Sequence, residues 1–141
     1  MPASKKKAPA DFVVSCDEGI VTVAVGGAIT LAAGDELMRR ALQALHAHGA
    51  RCILYDLRRA RLAESTLQLI NRPRKADEMG IPPDTRVALL CKVLTNDHEM
   101  LVSLARTRGH EMRAFTDGAA AIGWLRDSEP KSRATPSSRA S

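Results

Sequence analysis

Asp56 closes a short apolar run, Cys52 to Leu57, and is followed by Arg58, Arg59 and Arg61. A carboxylate at the end of a buried strand can bind a metal, accept a phosphoryl group or orient the following loop. Short polar side chains favour the last role, because they bond nearby backbone N–H groups. A receiver-type phosphoacceptor pocket would add an acidic pair after the first strand and a lysine on a late strand. Asp17-Glu18 runs straight into Gly19 and a second strand, and Glu111 to Phe115 carries no lysine, so that chemistry is set aside.

The remaining reactive side chains are dispersed. Gly26-Gly27 follows a strand but belongs to neither GxGxxG nor GxxxxGK[ST], so it reads as a sharp strand-to-helix turn. His46 and His48 are two apart on one helix and point in different directions, so they cannot share an ion. His98 and His110 have no sequence partners; the histidines are expected at the surface or at helix ends, with His98 nearest a strand-end rim. Cys16, Cys52 and Cys91 are odd in number and lack a CxxC spacing, which disfavours a disulfide framework or zinc knuckle and fits a reducing, cytoplasmic setting. Cys52 and Cys91 read as small buried hydrophobes. No metal, no cofactor and no catalytic residue is expected.

The local excess of charge is more informative. Arg58, Arg59, Arg61, Arg72, Arg74 and Lys75 are interrupted by Glu64 alone. Such a run is either a solvated face or a docking surface for an acidic protein, a phosphorylated group or an anionic headgroup. Nucleic acid is disfavoured because no aromatic side chains interleave to stack bases.

The 141-residue chain fits one domain. Apolar residues make up 45% but aromatics only 3%, so the core must be built from aliphatic side chains, as suits helices layered on a sheet. Of the net charge of +5, Lys5, Lys6 and Lys7 carry three and residues 127–141 one more, leaving +1 for residues 8–126. No stretch approaches the roughly 20 apolar residues of a membrane span, and no apolar segment follows the N-terminal lysines, so a soluble protein is expected.

The elements that must position Asp56 and the basic segment follow from periodicity. Phe12 to Cys16 and Ile20 to Val25 flank Asp17-Glu18-Gly19 and predict an antiparallel hairpin, with Gly26-Gly27 ending the second strand. Thr30 can cap a helix to about His48 with Leu37, Met38, Ala41, Leu42 and Leu45 on one face, stopped by Gly49. Cys52 to Leu57 reads as a central parallel strand. A second helix starts near Glu64 or Ser65, with Pro73 expected to kink or divide it. Pro82-Pro83 then leads to a strand, Arg86 to Cys91. Asn96 followed by Glu99 resembles a capping box for a third helix with Met100, Leu101, Leu104 and Ala105 inward. A last strand, Glu111 to Phe115, precedes a helix opened by Thr116 or Asp117. The fold class is α/β: a hairpin, then alternating helices and strands in a mixed, mainly parallel sheet covered by helices. Partners should gather outside the carboxyl ends of the parallel strands.

This order and several segments together resemble the STAS domain of bacterial anti-sigma-factor antagonists, and more closely its bacterial STAS/SEC14-like relatives. The carriers are the hairpin, Gly27-Ala28-Ile29-Thr30-Leu31, Ile53-Leu54-Tyr55-Asp56-Leu57, Phe115-Thr116-Asp117 and Trp124-Leu125. The resemblance implies a STAS-like domain over residues 11–127, with tails at 1–10 and 128–141 that composition marks as disordered. In the antagonists, a strand ending in Asp-Leu precedes by about eight residues an Asp-Ser-Ser triplet whose serine a partner kinase phosphorylates. The matching place here is Glu64-Ser65-Thr66, which makes Ser65 the candidate phosphoacceptor. The sequence departs from the pattern in Glu64, in Leu67 where a glycine is expected, and in its basic preceding loop. A plain helix N-cap is the competing role for Ser65.

The resemblance therefore implies a non-enzymatic regulatory, protein-interaction module. Its partner or anion surface would be Asp56, Arg58, Arg59, Arg61, Glu64, Ser65 and Thr66, and its partner a regulatory kinase or an anti-sigma-like factor. A homodimer is also allowed for. The alternative function is binding of a lipid or other anionic small ligand, as in SEC14-like carriers. A small enzyme using Asp56, Cys91 or His98 would require a pocket enclosing at least two of them.

Overall fold

A computed structural model describes residues 10–82 and 84–127; the expected tails, apart from Ala10, and Pro83 of the expected diproline link lie outside the described residues. Strands β1 (Asp11–Asp17) and β2 (Ile20–Ile29) pair antiparallel, with Asp17 opposite Ile20. Glu18 (φ 53°) and Gly19 (φ 80°) both occupy the left-handed region, as the primed two-residue turns that match strand twist require. Phe12, Val14 and Cys16 turn toward the core, while Asp11, Val13, Ser15 and Asp17 face out.

Helix α1 (Leu31–His48) begins where Thr30 Oγ1 accepts the Ala33 N–H at 3.3 Å, and ends where the Gly49 N–H bonds the Leu45 carbonyl. It buries Leu37, Met38, Ala41 and Leu45, the predicted stripe. Strand β3 (Cys52–Leu62), helix α2 (Thr66–Met79), strand β4 (Arg86–Leu90), helix α3 (Asn96–Thr107), strand β5 (Glu111–Phe115) and helix α4 (Gly118–Arg126) complete the chain.

The five strands lie in the order β1-β2-β3-β4-β5, all parallel after the opening hairpin. Because each right-handed crossover steps to the next strand on the same side, α1, α2 and α3 gather on one face. Leu37, Ala41 and Leu45 of α1 and Leu101 of α3 share a core there with Val21, Val23, Val25, Ile53, Leu57, Val87 and Leu89. The alternate strand residues Ile20, Cys52, Leu54, Ala88 and Leu90 point the other way, onto Ala121 and Leu125 of α4. Helix α4 lies over β3, β4 and β5 and reaches β2 only at Ile20, so this second face is bare over β1 and the rest of β2, where Val13 of β1 is 69% exposed. Helical cover, expected on both sides, is therefore incomplete.

Three local expectations are corrected and one, at Pro73, is narrowed. Gly26-Gly27 does not end β2: the register jumps from Ala24 opposite Asp56 to Gly26 opposite Arg59, Gly27 takes φ 91°, and pairing continues to Ile29. The glycines absorb a bulge, and β3 gains the matching extension, so Arg58 to Arg61 form strand and not loop. Pro73 lies inside α2 without dividing it. The α3 capping box is Thr95 with His98, one residue before the expected Asn96 with Glu99, because Thr95 is the last residue with extended backbone. His110, expected at the surface, is buried, its Nε2 2.6 Å from Asp77 Oδ1.

Candidate functional site

The parallel strands β2, β3 and β4 end on one rim, and the first turns of α1, α2 and α3 rise from it. Ser65 is the N-cap of α2. Its Oγ accepts the Gln68 N–H at 3.2 Å, and Gln68 Oε1 accepts the Ser65 N–H at 3.0 Å. This reciprocal box satisfies two helix-end donors and leaves Ser65 and Thr66 exposed at the positive end of a 14-residue helix.

Glu64, assigned to the open surface from sequence, is buried, with its side chain only 3% exposed. It accepts a hydrogen bond from Arg72 Nη2, while Arg72 Nη1 donates to Asp35 Oδ1 at 2.6 Å and Lys75 Nζ to Asp35 Oδ2 at 2.9 Å. Arg72 Nη2 also lies 3.5 Å from the Leu31 carbonyl. These contacts tie the residue before Ser65 to the first turn of α1. Burial alone would raise the Asp35 pKa, but the bonds from Lys75 and Arg72 outweigh it and hold the carboxyl below its ordinary range. Arg72 approaches so closely because α1 has a glycine at the crossing: a Cβ on Gly34 would stand 2.5 Å from Arg72 Nη2. The six-charge basic segment thus loses Arg72 to the interior and Lys75 to Asp35.

Asp56 takes the local role that its position suggests. Its Oδ1 accepts from the Arg58 backbone N–H at 3.2 Å and from Nε at 2.9 Å, and its Oδ2 accepts from Nη2 at 2.8 Å. The Arg58 guanidinium, against the opposing effect of burial, keeps the carboxyl below the usual carboxylate range. Past the bulge Ala60 and Leu62 pack on the helical core, which sends Arg59 and Arg61 to the bare face beside Gly26 and Ala28. Neither arginine has an ion-pair partner among the described residues. Arg58, Arg59, Asp56 and Asp11 line a groove of about 440 Å³ on that face.

The structure does not bring Asp56, Cys91 and His98 together as a reactive set: the groove that holds Asp56 is lined by neither of the others. Cys91 is buried, and burial with the nearby Asp56 charge pushes its thiol up to about 11, away from nucleophilic thiolate. His98 is engaged in the α3 cap. His46 and His48 are exposed in the last turn of α1.

Sequence reasoning missed an apolar collar. Leu31, Leu67, Ile70, Val93 and Leu94 are exposed, Leu67 at 67% and Val93 at 65%, and all follow the ends of β2, β3 or β4. The available signal was position: Leu67 and Ile70 are offset from the inward-facing Leu69 and Arg72, and Val93-Leu94 lies between a buried strand and a cap.

A hairpin feeding a parallel sheet in sequential strand order, with its helices mainly on one face, is an α/β architecture of the SpoIIAA-like type. Among solved structures the chain is similar to an anti-sigma factor antagonist from Mycobacterium paratuberculosis, at TM-score 0.59 and 18% identity over 84% of this chain and 95% of that one. It is also similar to an uncharacterised DUF3478 protein with a SpoIIAA-like fold from Shewanella loihica PV-4, at TM-score 0.54 and 16% identity over 83% and 94%. The Bacillus cell fate determinant SpoIIAA in its phosphorylated form gives TM-score 0.51 and 14% identity over 82% and 100%. At these identities the likeness is one of fold. No family model and no curated protein matches the sequence. No helix among the described residues is long and apolar enough to cross a membrane.

Proposed function

We propose that this chain is a non-enzymatic regulatory module that binds a protein partner through the carboxyl rim of its sheet, and that phosphorylation of Ser65 switches the contact. The observation that carries this reading is the set of exposed Leu31, Leu67, Ile70, Val93 and Leu94 that follow the strand ends on the same rim as the exposed Ser65. Solvent-facing aliphatic side chains concentrated at one end of a sheet mark a recognition surface. Arg58, Arg59 and Arg61 flank it and favour an acidic partner. The partner is a regulatory kinase or an anti-sigma-like factor, by analogy with the antagonists of the same fold, and the setting is the cytoplasm.

A phosphate on Ser65 would bring about −1.5 to −2 charges to a helix N-terminus, where backbone N–H groups receive it without unfolding the helix, and into the middle of an apolar contact, where it opposes docking. Affinity purification from the native host with wild type, Ser65→Ala and Ser65→Glu, coupled to phosphosite mapping, tests this. The expected result is a partner retained by Ser65→Ala, lost by Ser65→Glu, and a phosphate mapped to Ser65. Equal recovery of the same partners by all three would remove the switch.

A second reading rests on the uncommitted Arg59 and Arg61 beside the small residues Gly26 and Ala28. Those two guanidinium groups would receive an anionic ligand such as a lipid headgroup. Binding to phosphatidylglycerol vesicles, abolished by Arg59→Glu with Arg61→Glu, would favour it over the protein partner.

A further inference from the structure

Helix α2 packs on α1 and α3 and stands off the strands beneath it. It turns Leu69, Arg72 and Pro73 inward, and Pro73 with its missing N–H replaces an ordinary side chain on that face. The space left between the helices and the sheet is a pocket of about 110 Å³. Its floor is Ile53, Leu57, Val87 and Leu89, and its walls include Ala76 of α2 and Leu101 of α3. An apolar cavity of about 150 Å³ accommodates benzene, so the volume suits a five- or six-membered ring or a short branched chain.

The polar groups at its margin narrow the ligand further. Arg72 is committed to both Glu64 and Asp35, and His110 to Asp77. An ionised ligand would meet no free counter-charge there. The Tyr55 hydroxyl is different: the side chain is half-buried and lines the pocket, lies near enough to Arg72 to feel that charge, and has no hydrogen-bond partner among the described residues. A hydroxyl that lines an apolar pocket without a protein partner offers one donor and one acceptor to whatever occupies the space.

We propose that the pocket between α2 and strands β3 and β4 binds a small neutral apolar molecule carrying one hydrogen-bonding group, which the Tyr55 hydroxyl receives. The site lies on the helical side of the sheet, its margin at Gly34, Glu64 and Arg72 reaching the rim beneath Ser65, and it does not use the Ser65 hydroxyl.

Phenol and benzene are the probes, used with the full chain. Each should raise the melting temperature by roughly 3–5 °C at about ten times its Kd, and shift the methyl resonances of Leu57, Leu89 and Leu101. Tyr55→Phe should weaken phenol about tenfold by calorimetry and leave benzene unchanged. Ala76→Leu and, independently, Ala105→Leu should abolish binding of both by filling the pocket. Absence of a thermal or methyl shift with either probe in the wild type overturns the site, as does wild-type affinity in a folded filled variant. Unchanged phenol affinity in Tyr55→Phe overturns the role of the hydroxyl. If both filled variants fail to fold, the wild type and Tyr55→Phe decide the matter by themselves.

Discussion

Arg72 of α2 grips the carboxylate of Glu64, the residue immediately before Ser65, and both are buried against Gly34 of α1. The hydroxyl offered to solvent is therefore anchored from beneath by Arg72, whose second ion pair, with Asp35, crosses to the start of α1. Removing one member of such a pair leaves an uncompensated buried charge, whereas removing both does not. Arg72→Met should destabilise the protein by about 3 kcal/mol in urea denaturation, and Glu64→Gln combined with Arg72→Met should recover part of that loss.

Gly34→Ala offers a sharper test of the same crossing. In an exposed helix interior the change would stabilise by up to about 1 kcal/mol. Here the new methyl must displace the Arg72 guanidinium from Asp35 and Glu64. A net loss of about 1–3 kcal/mol is expected by chemical denaturation, opposite in sign to the propensity effect.

The α3 cap should respond to pH. The Thr95 backbone N–H donates to His98 Nδ1 at 3.2 Å, which requires that nitrogen to be unprotonated. Burial lowers the His98 pKa below its ordinary 6.5, with the Asp97 charge opposing. The unfolded chain then takes up the proton first, so stability present above about pH 6.5 declines as pH falls through that value toward the lowered folded one. Between pH 7 and 5.5 the wild type should lose on the order of 0.5–1 kcal/mol, the scale of one capping interaction. His98→Gln, which keeps an acceptor at the same helix position, should flatten that portion of the profile.

Thiol chemistry should separate the cysteines. Cys91 is buried with its pKa raised to about 11, whereas Cys16 on the edge strand is partly exposed. Under native conditions at pH 8, iodoacetamide should modify Cys16 well before Cys91, as read by peptide mass spectrometry. Early modification of Cys91 would mean that the β4 end opens readily.

Arg59 and Arg61 face solvent without ion-pair partners among the described residues, so Arg59→Glu with Arg61→Glu should change stability by no more than about 0.5 kcal/mol. Capture of an acidic partner should fall sharply in the same variant, with binding by the wild type weakening as salt is raised.

Much of this architecture was legible in the residues. Thr30 and Gly49 bound α1 because capping chemistry is local, and the apolar stripe from Leu37 to Leu45 fixed its buried face. The hairpin at Glu18-Gly19 and the last strand from Glu111 to Phe115 followed from equally local signals. Ser65 was singled out through the resemblance, by counting from Asp56-Leu57, and the structure places it as the N-cap of α2. The misplaced features depended on what lay across from them. Gly26-Gly27 reads as a terminator until β3 pairs past it, and Thr95 and Asn96 differ as caps only in backbone conformation.

What the sequence by itself determined is the order of elements, the aliphatic core and the serine that caps α2, since each rests on periodicity or on contacts within a few residues. The tertiary structure alone decided which charges are available. Glu64 and Arg72 sit among the most polar residues of the chain, yet Gly34, thirty residues earlier, opens the space that buries them. Arg59 and Arg61 in the same segment remain free because the bulge opposite Gly26 turns them to the face that α4 does not reach. Charge patterning along the chain cannot separate these two fates, because burial is set by the neighbours that folding supplies.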